Sequence, residues 1–117
     1  MITDRELLEL AAKTVGVNGQ YFWNIDDAGI ETEGGRVWNP LSDDGDALRL
    51  AVTLRFRVST PTAGVRYGER AVAESQDRPH GVFSNCGDEA LDKADPLAAT
   101  RRAIVRAAAE IGKTMPS

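Results

Sequence analysis

The chain is poor in the residues that usually announce a chemistry. It has a single cysteine, Cys86, a single histidine, His80, and only three Phe, two Trp and two Tyr among 117 residues. One cysteine excludes an intramolecular disulfide, and a reducing cytoplasm suits such a chain best. One His and one Cys fall short of the three or four ligands of a zinc site, so no metal or other cofactor is expected. No apolar run approaches the roughly 20 residues that span a bilayer, so no membrane contact is expected. Residues Met1 to Glu6 read as an acidic helix start, whereas a signal peptide opens basic and continues apolar. Basic charge is in deficit: 14 Lys and Arg stand against 18 Asp and Glu, a net charge of −4. A general nucleic-acid binder needs a basic face that releases counterions, so nucleic acid is an unlikely partner. Gly34-Gly35 lacks the spacing, lysine and following helix of a phosphate loop, and no Gly-x-Ser-x-Gly elbow occurs.

What is present describes an ordinary globular chain, 42% hydrophobic and 27% charged, read as one domain over 1–117. Residues 3 to 15 predict a helix, with Thr3 and Glu6 as a capping box, an apolar face of Leu7, Leu8, Leu10, Ala11, Ala12 and Val15, and Gly16 as the left-handed stop. Residues 20 to 25 predict a strand rich in aromatics. Asp26 to Gly29 predict a turn, Ile30 and Thr32 a short partner strand, and Gly34-Gly35 a second turn. Val37 and Trp38 return to apolar character before Asn39-Pro40 breaks the chain direction.

Ser42 or Asp43 is the expected N-cap of a second helix, with Asp43, Asp44 and Asp46 favouring the positive end of its dipole. Leu48, Ala51 and Val52 form its expected buried stripe. Leu54, Phe56 and Val58 alternate with Arg55, Arg57 and Ser59, which predicts a half-buried strand over 54 to 59. Val65 to Tyr67 and Ala71 to Ala73 predict its antiparallel partner. Val82 and Phe83 read as a short edge strand or a loop anchor. The stretch 75–95 is expected as a mobile loop. Asp95 as N-cap and Pro96 at the first position open a last helix over 96 to 111, with Leu97, Ile104, Ala108 and Ile111 on one face and Gly112 as its terminator. The expected fold is α+β: a small antiparallel sheet of three to four strands covered by three helices, a helix-sheet-helix sandwich.

Each candidate site has a plainer reading beside it. His80 and Cys86 could pair as nucleophile and base, or be a surface His and a part-buried thiol. Asp43, Asp44 and Asp46 superficially resemble a calcium loop, but position Asp43 plus eleven is Leu54, so capping explains them better. Asp26, Asp27, Glu31 and Glu33 read as solvated turn residues. Arg101, Arg102 and Arg106, with Arg55 and Arg57, give two basic stripes that could grip phosphates or an acidic protein partner, or be solvated faces and intrachain pairing partners of the acids. Trp23, Trp38 and Tyr21 are core residues or an interface hot spot.

The stretch Trp38-Asn39-Pro40-Leu41-Ser42-Asp43-Asp44-Gly45-Asp46-Ala47-Leu48-Arg49-Leu50-Ala51-Val52, with Ala99 to Gly112, resembles small phage and prophage proteins of the phage ABA-sandwich domain family. The resemblance covers about half the chain. It implies a phage or prophage origin, a sheet sandwiched by helices and no catalytic residues. The expected function is a non-enzymatic accessory protein in the bacterial cytoplasm that binds, and inhibits, a host or defence protein. Its expected contact residues are Asp43, Asp44, Asp46, Trp38 and Trp23, with the acids of 26 to 33. The alternatives are a small-ligand-binding or enzymatic domain with a pocket near Trp23, Trp38 and His80, and a structural homo-oligomer that buries the alanine-rich C-terminal helix against a second copy.

Overall fold

The first helix, α1 (Asp4–Thr14), begins where the sequence places it. Thr3 is extended, and its Oγ1 accepts from the Glu6 amide at 3.1 Å while donating to Glu6 Oε1 at 3.2 Å. The Glu6 carboxylate therefore closes the cap through the hydroxyl. At the other end Gly16 adopts φ +69°, and the Val17 amide bonds back to the Ala12 carbonyl at 3.0 Å. That six-to-one bond is the Schellman stop, which satisfies a carbonyl the helix leaves orphaned. The computed structural model describes residues 2–60, 71–75, 85–86 and 95–116.

A first antiparallel sheet follows, made of β1 (Gly19–Trp23), β2 (Ala28–Thr32) and β3 (Val37–Trp38) in that order. The register sets Tyr21, Ile30 and Trp38 in one row across it. Ile30 and Trp38 are buried and Tyr21 half-buried, with the Arg5 guanidinium of α1 over the Tyr21 ring at 5.4 Å. The predicted turn at Asp26 to Gly29 is displaced: Asn24 to Asp27 make the turn, and Ala28 and Gly29 already pair in β2. Gly29 has φ +148°, and a Cβ there would come within 2.7 Å of the Trp38 carbonyl oxygen, so this position admits only glycine comfortably.

The second helix, α2 (Asp44–Thr53), is capped by Asp43, whose Oδ2 accepts from the Asp46 amide at 2.7 Å. Its buried face is Asp46, Ala47, Leu50 and Ala51. The predicted stripe is thus corrected: Leu48 and Val52 face solvent, at 64% and 67% exposure. The set 47, 50, 51 and 54 also has helical spacing, and it runs unbroken from the first turn to the last, ending on half-buried Leu54. After a turn in which Arg55 takes φ +58°, a second antiparallel sheet forms from β4 (Phe56–Ser59), β5 (Val72–Ser75) and β6 (Asn85–Cys86) in that order. The pairing of 56–59 with 72–75 realises the predicted hairpin, starting two residues later than the alternation suggests. The strands expected at Val65 to Tyr67 and at Val82-Phe83, and His80, lie outside the described residues, as does most of the loop expected over 75–95.

The last helix, α3 (Pro96–Thr114), is the centre of the molecule. Asp95 Oδ1 accepts from the Ala98 amide at 3.1 Å and Pro96 sits in the first turn. The helix packs against α1, α2 and all three strands of the second sheet. A helix enclosed on most sides must be apolar or small around most of its circumference. Accordingly Ala99, Ala103, Val105, Ala107 and Ala108 are fully buried. Gly112 does not terminate the helix as predicted: α3 continues through it to Thr114. A Cβ at Gly112 would fall against the Leu10 carbonyl of α1, so this glycine is there for close helix approach. Leu97, assigned to the buried face, is 63% exposed. Among the described residues the architecture is α+β, three helices with antiparallel strands, and the strands form two three-stranded sheets where one was expected. The alanine-rich face expected to meet a second copy is occupied by the chain itself.

Candidate functional site

Asp46 is the polar centre of the segment linking the first sheet to α2. Its side chain is 2% exposed. One oxygen, Oδ1, accepts from Arg36 Nη2 at 2.9 Å and from Arg49 Nη2 at 2.8 Å; the other, Oδ2, accepts from the Asn39 amide at 3.0 Å. A buried carboxylate is tolerated only when paired and hydrogen-bonded, and this one is both. Asn39 continues the stitching. Its side-chain amide donates to the Ala28 carbonyl at 2.8 Å, its Oδ1 accepts from the Leu41 amide at 2.9 Å, and its carbonyl accepts from the Ser42 and Asp43 amides. Pro40 beside it is almost fully buried. From the far side, Arg101 of α3 donates through Nε to the Leu41 carbonyl at 2.8 Å and through Nη1 to Asp44 Oδ1 at 2.6 Å.

The three aspartates therefore do three different things. Asp43 is the cap, Asp44 is a surface partner of Arg101, and Asp46 is an inward-facing hub. Asp43 and Asp44 remain exposed. Asp46 does not face solvent, so it is removed from the expected contact surface. Trp38, 8% exposed, is removed with it: it belongs to the hydrophobic core. The basic stripes are paired as the sequence suggests, Arg101 with Asp44, Arg102 with Asp4 at 3.1 Å, and Arg57 with Glu74 at 3.4 Å.

Trp23 is the opposite case. It is 72% exposed at the end of β1, and Ile25 beside it is 91% exposed. The turn that carries them is fixed: the Asn24 amide donates to the Asp27 carbonyl at 2.9 Å, and Asn24 Oδ1 accepts from the Asp26 and Asp27 amides, each at 2.8 Å. Asp27 Oδ1 in turn accepts from the Ala28 amide at 2.9 Å. The hairpin tip thus holds an indole and a branched aliphatic side chain in water, flanked by two aspartates on a preorganised loop. Asp27 also borders a groove of about 260 Å³ together with Asp43 and Arg36. The structure therefore brings one acid of the 26–33 set to the same groove as the cap of α2.

The two tryptophans expected to share a pocket are split between surface and core. Trp38 borders a different groove, lined by Val15, Val17, Arg36, Arg49 and Leu50. Sequence reasoning missed Ile25, Arg36, Asn39 and Arg49. Arg49 was legible, because it lies three residues beyond Asp46 on one helix. Arg36 and Asn39 reach Asp46 only through the fold of β3, and nothing in their spacing marks them. A scan against protein-family models matches none, and no curated protein or solved structure matches the chain. Among the described residues no three of His, Cys, Asp and Glu converge to hold a metal ion, and no helix is long and apolar enough to cross a membrane.

Proposed function

We propose that this chain is a protein-binding accessory protein of phage or prophage origin, acting in the bacterial cytoplasm on a host or defence protein through the tip of its first hairpin. The observation that carries the contact surface is Trp23, 72% exposed on a hydrogen-bonded turn. An indole held in water is unfavourable for the isolated chain, and tryptophan is the residue most enriched among binding hot spots. The fixed turn lowers the ordering cost of association. Asp26 and Asp27 flank the apolar pair, and the chain carries a net charge of −4, so the fitting partner surface is an apolar socket rimmed by Lys and Arg. Such surfaces include those that grip nucleic acid. The phage origin rests on the resemblance of 38–52 and 99–112 to the ABA-sandwich proteins.

The test is capture of partners from bacterial lysate by the tagged chain and by Trp23→Ala, Asp26→Lys/Asp27→Lys and Leu48→Ala variants. Leu48 is an exposed apolar control on another surface. The reading requires a stoichiometric partner that Leu48→Ala retains and both hairpin variants lose. A partner retained by correctly folded hairpin variants would remove the tip from the interface.

A further inference from the structure

We propose that the groove between the end of α1, β3 and α2 is a binding site for an organic monocarboxylate: an apolar body against the half-buried Val15 and Val17, with its carboxylate gripped by Arg36 and Arg49. The site is independent of the hairpin tip. It has a volume of about 260 Å³ and is lined by both arginines and these apolar side chains. Both guanidiniums are held by the same oxygen of Asp46, at 2.9 and 2.8 Å. That carboxylate is 2% exposed, whereas the two arginine side chains are 63% and 60% exposed. One guanidinium is enough to neutralise a buried carboxylate; the second adds like-charge repulsion at close range. An anion between the two heads relieves that repulsion.

The hydrogen bonds of each arginine use one Nη2, out of five N–H donors per guanidinium. Among the described residues, the only further ion pair of either is the 3.9 Å approach of Arg49 to Asp43 Oδ2. Among the described residues Asp46 is the one acid lining the groove, and Asp43 approaches Arg49 from outside it, so two acids stand beside the two arginines and the pull on an anion comes from their unused N–H donors rather than from net charge. Planar guanidiniums fixed by a buried carboxylate match the bidentate geometry of a carboxylate ligand. The two acids already beside the arginines, and the half-buried Val15 and Val17, favour a singly charged carboxylate with an apolar body over a doubly charged phosphate ester.

The carboxylate could be that of a free small acid or the C-terminus of a partner chain. The experiment titrates benzoate, 3-phenylpropionate and 4-methylpentanoate into the full chain, followed by amide chemical shifts. Parallel arms use 3-phenylpropanamide and a pair of peptides ending in phenylalanine, one with a free carboxylate and one amidated. The acids should bind, shifting the amides of Val17, Arg36 and Arg49, and the amide analogue should bind at least tenfold more weakly. Arg49→Gln, which leaves Asp46 paired with Arg36, should weaken binding at least tenfold. Thr53→Glu, at an exposed residue of the groove rim, should supply an internal anion and abolish binding. A free-carboxylate peptide binding more tightly than the small acids would identify a protein terminus as ligand; small acids binding where the peptide does not would identify a free acid. Absence of binding by all the acids and the free peptide, equal binding of acid and amide, or undiminished binding by folded Arg49→Gln would overturn the proposal.

Discussion

Replacing Asp46 with alanine separates the hub from the caps that share its sequence cluster. The substitution removes the acceptors of Arg36, Arg49 and the Asn39 amide. Both guanidiniums are more than half exposed, so they regain water, and each loss is on the scale of a surface pair, about 0.2–1 kcal/mol. The half-buried Asn39 amide loses its partner in a confined turn, at a cost of about 1–3 kcal/mol. Together these give roughly 1.5–5 kcal/mol, or a fall in Tm of roughly 6–20 °C for a chain of this size. Asp46→Asn keeps one acceptor oxygen for the Asn39 amide but turns its NH2 toward the two guanidiniums, so it loses the charge and both arginine bonds and should cost less than Asp46→Ala without restoring stability. Asp43→Ala removes a helix cap, worth about 1 kcal/mol. Asp44→Ala removes an exposed partner of Arg101, which keeps its bond to Leu41, and should cost less than the cap. Urea titration of the four variants gives the ranking directly. If Asp46→Ala is no more destabilising than Asp43→Ala, the hub assignment is wrong and the cluster is only a helix start.

The remaining predictions follow from packing. Gly112→Ala should destabilise by about 1–3 kcal/mol, because overpacking against Leu10 outweighs the helix-propensity gain of about 1 kcal/mol; thermal melting checks it, and a stabilised variant would show that α1 and α3 do not approach closely there. Leu50→Ala should cost about 2–5 kcal/mol, while Leu48→Ala and Val52→Ala should stay within about 0.5 kcal/mol, measured by the same urea midpoints. Trp38→Ala should cost about 3–5 kcal/mol and Trp23→Ala almost nothing, so the two tryptophans should differ sharply in stability even though both were candidates for one surface.

The legible part of the fold was its punctuation. Thr3, Gly16, Asp43, Asp95 and Pro96 mark helix ends by chemistry that acts within a few residues, and the structure places each end within a residue or two of the reading. What was not legible depended on contacts between distant segments. The choice of α2 face turns on which side meets the core, and two sets of apolar residues had helical spacing. Gly112 has a terminator's identity, but its role is set by Leu10, roughly a hundred positions away in sequence. The strands pair locally in both sheets, yet their division into two sheets depends on α3 passing against one of them. At the site, the acid cluster was visible and its internal differences were not. Asp46 turns inward because Arg36 and Asn39 wait there, and the sequence does not show them near it. Trp23 and Trp38 differ in burial because one ends a strand at a hairpin tip and the other lies opposite Ile30.

The central claim, that the chain binds a protein through its first hairpin, is tested most directly by the affinity of the purified chain and of Trp23→Ala for the captured partner, with folding of both verified by melting. A hot-spot tryptophan should cost at least about 2 kcal/mol, roughly a thirtyfold rise in Kd, with stability unchanged. An unchanged Kd for a folded Trp23→Ala chain would contradict the account.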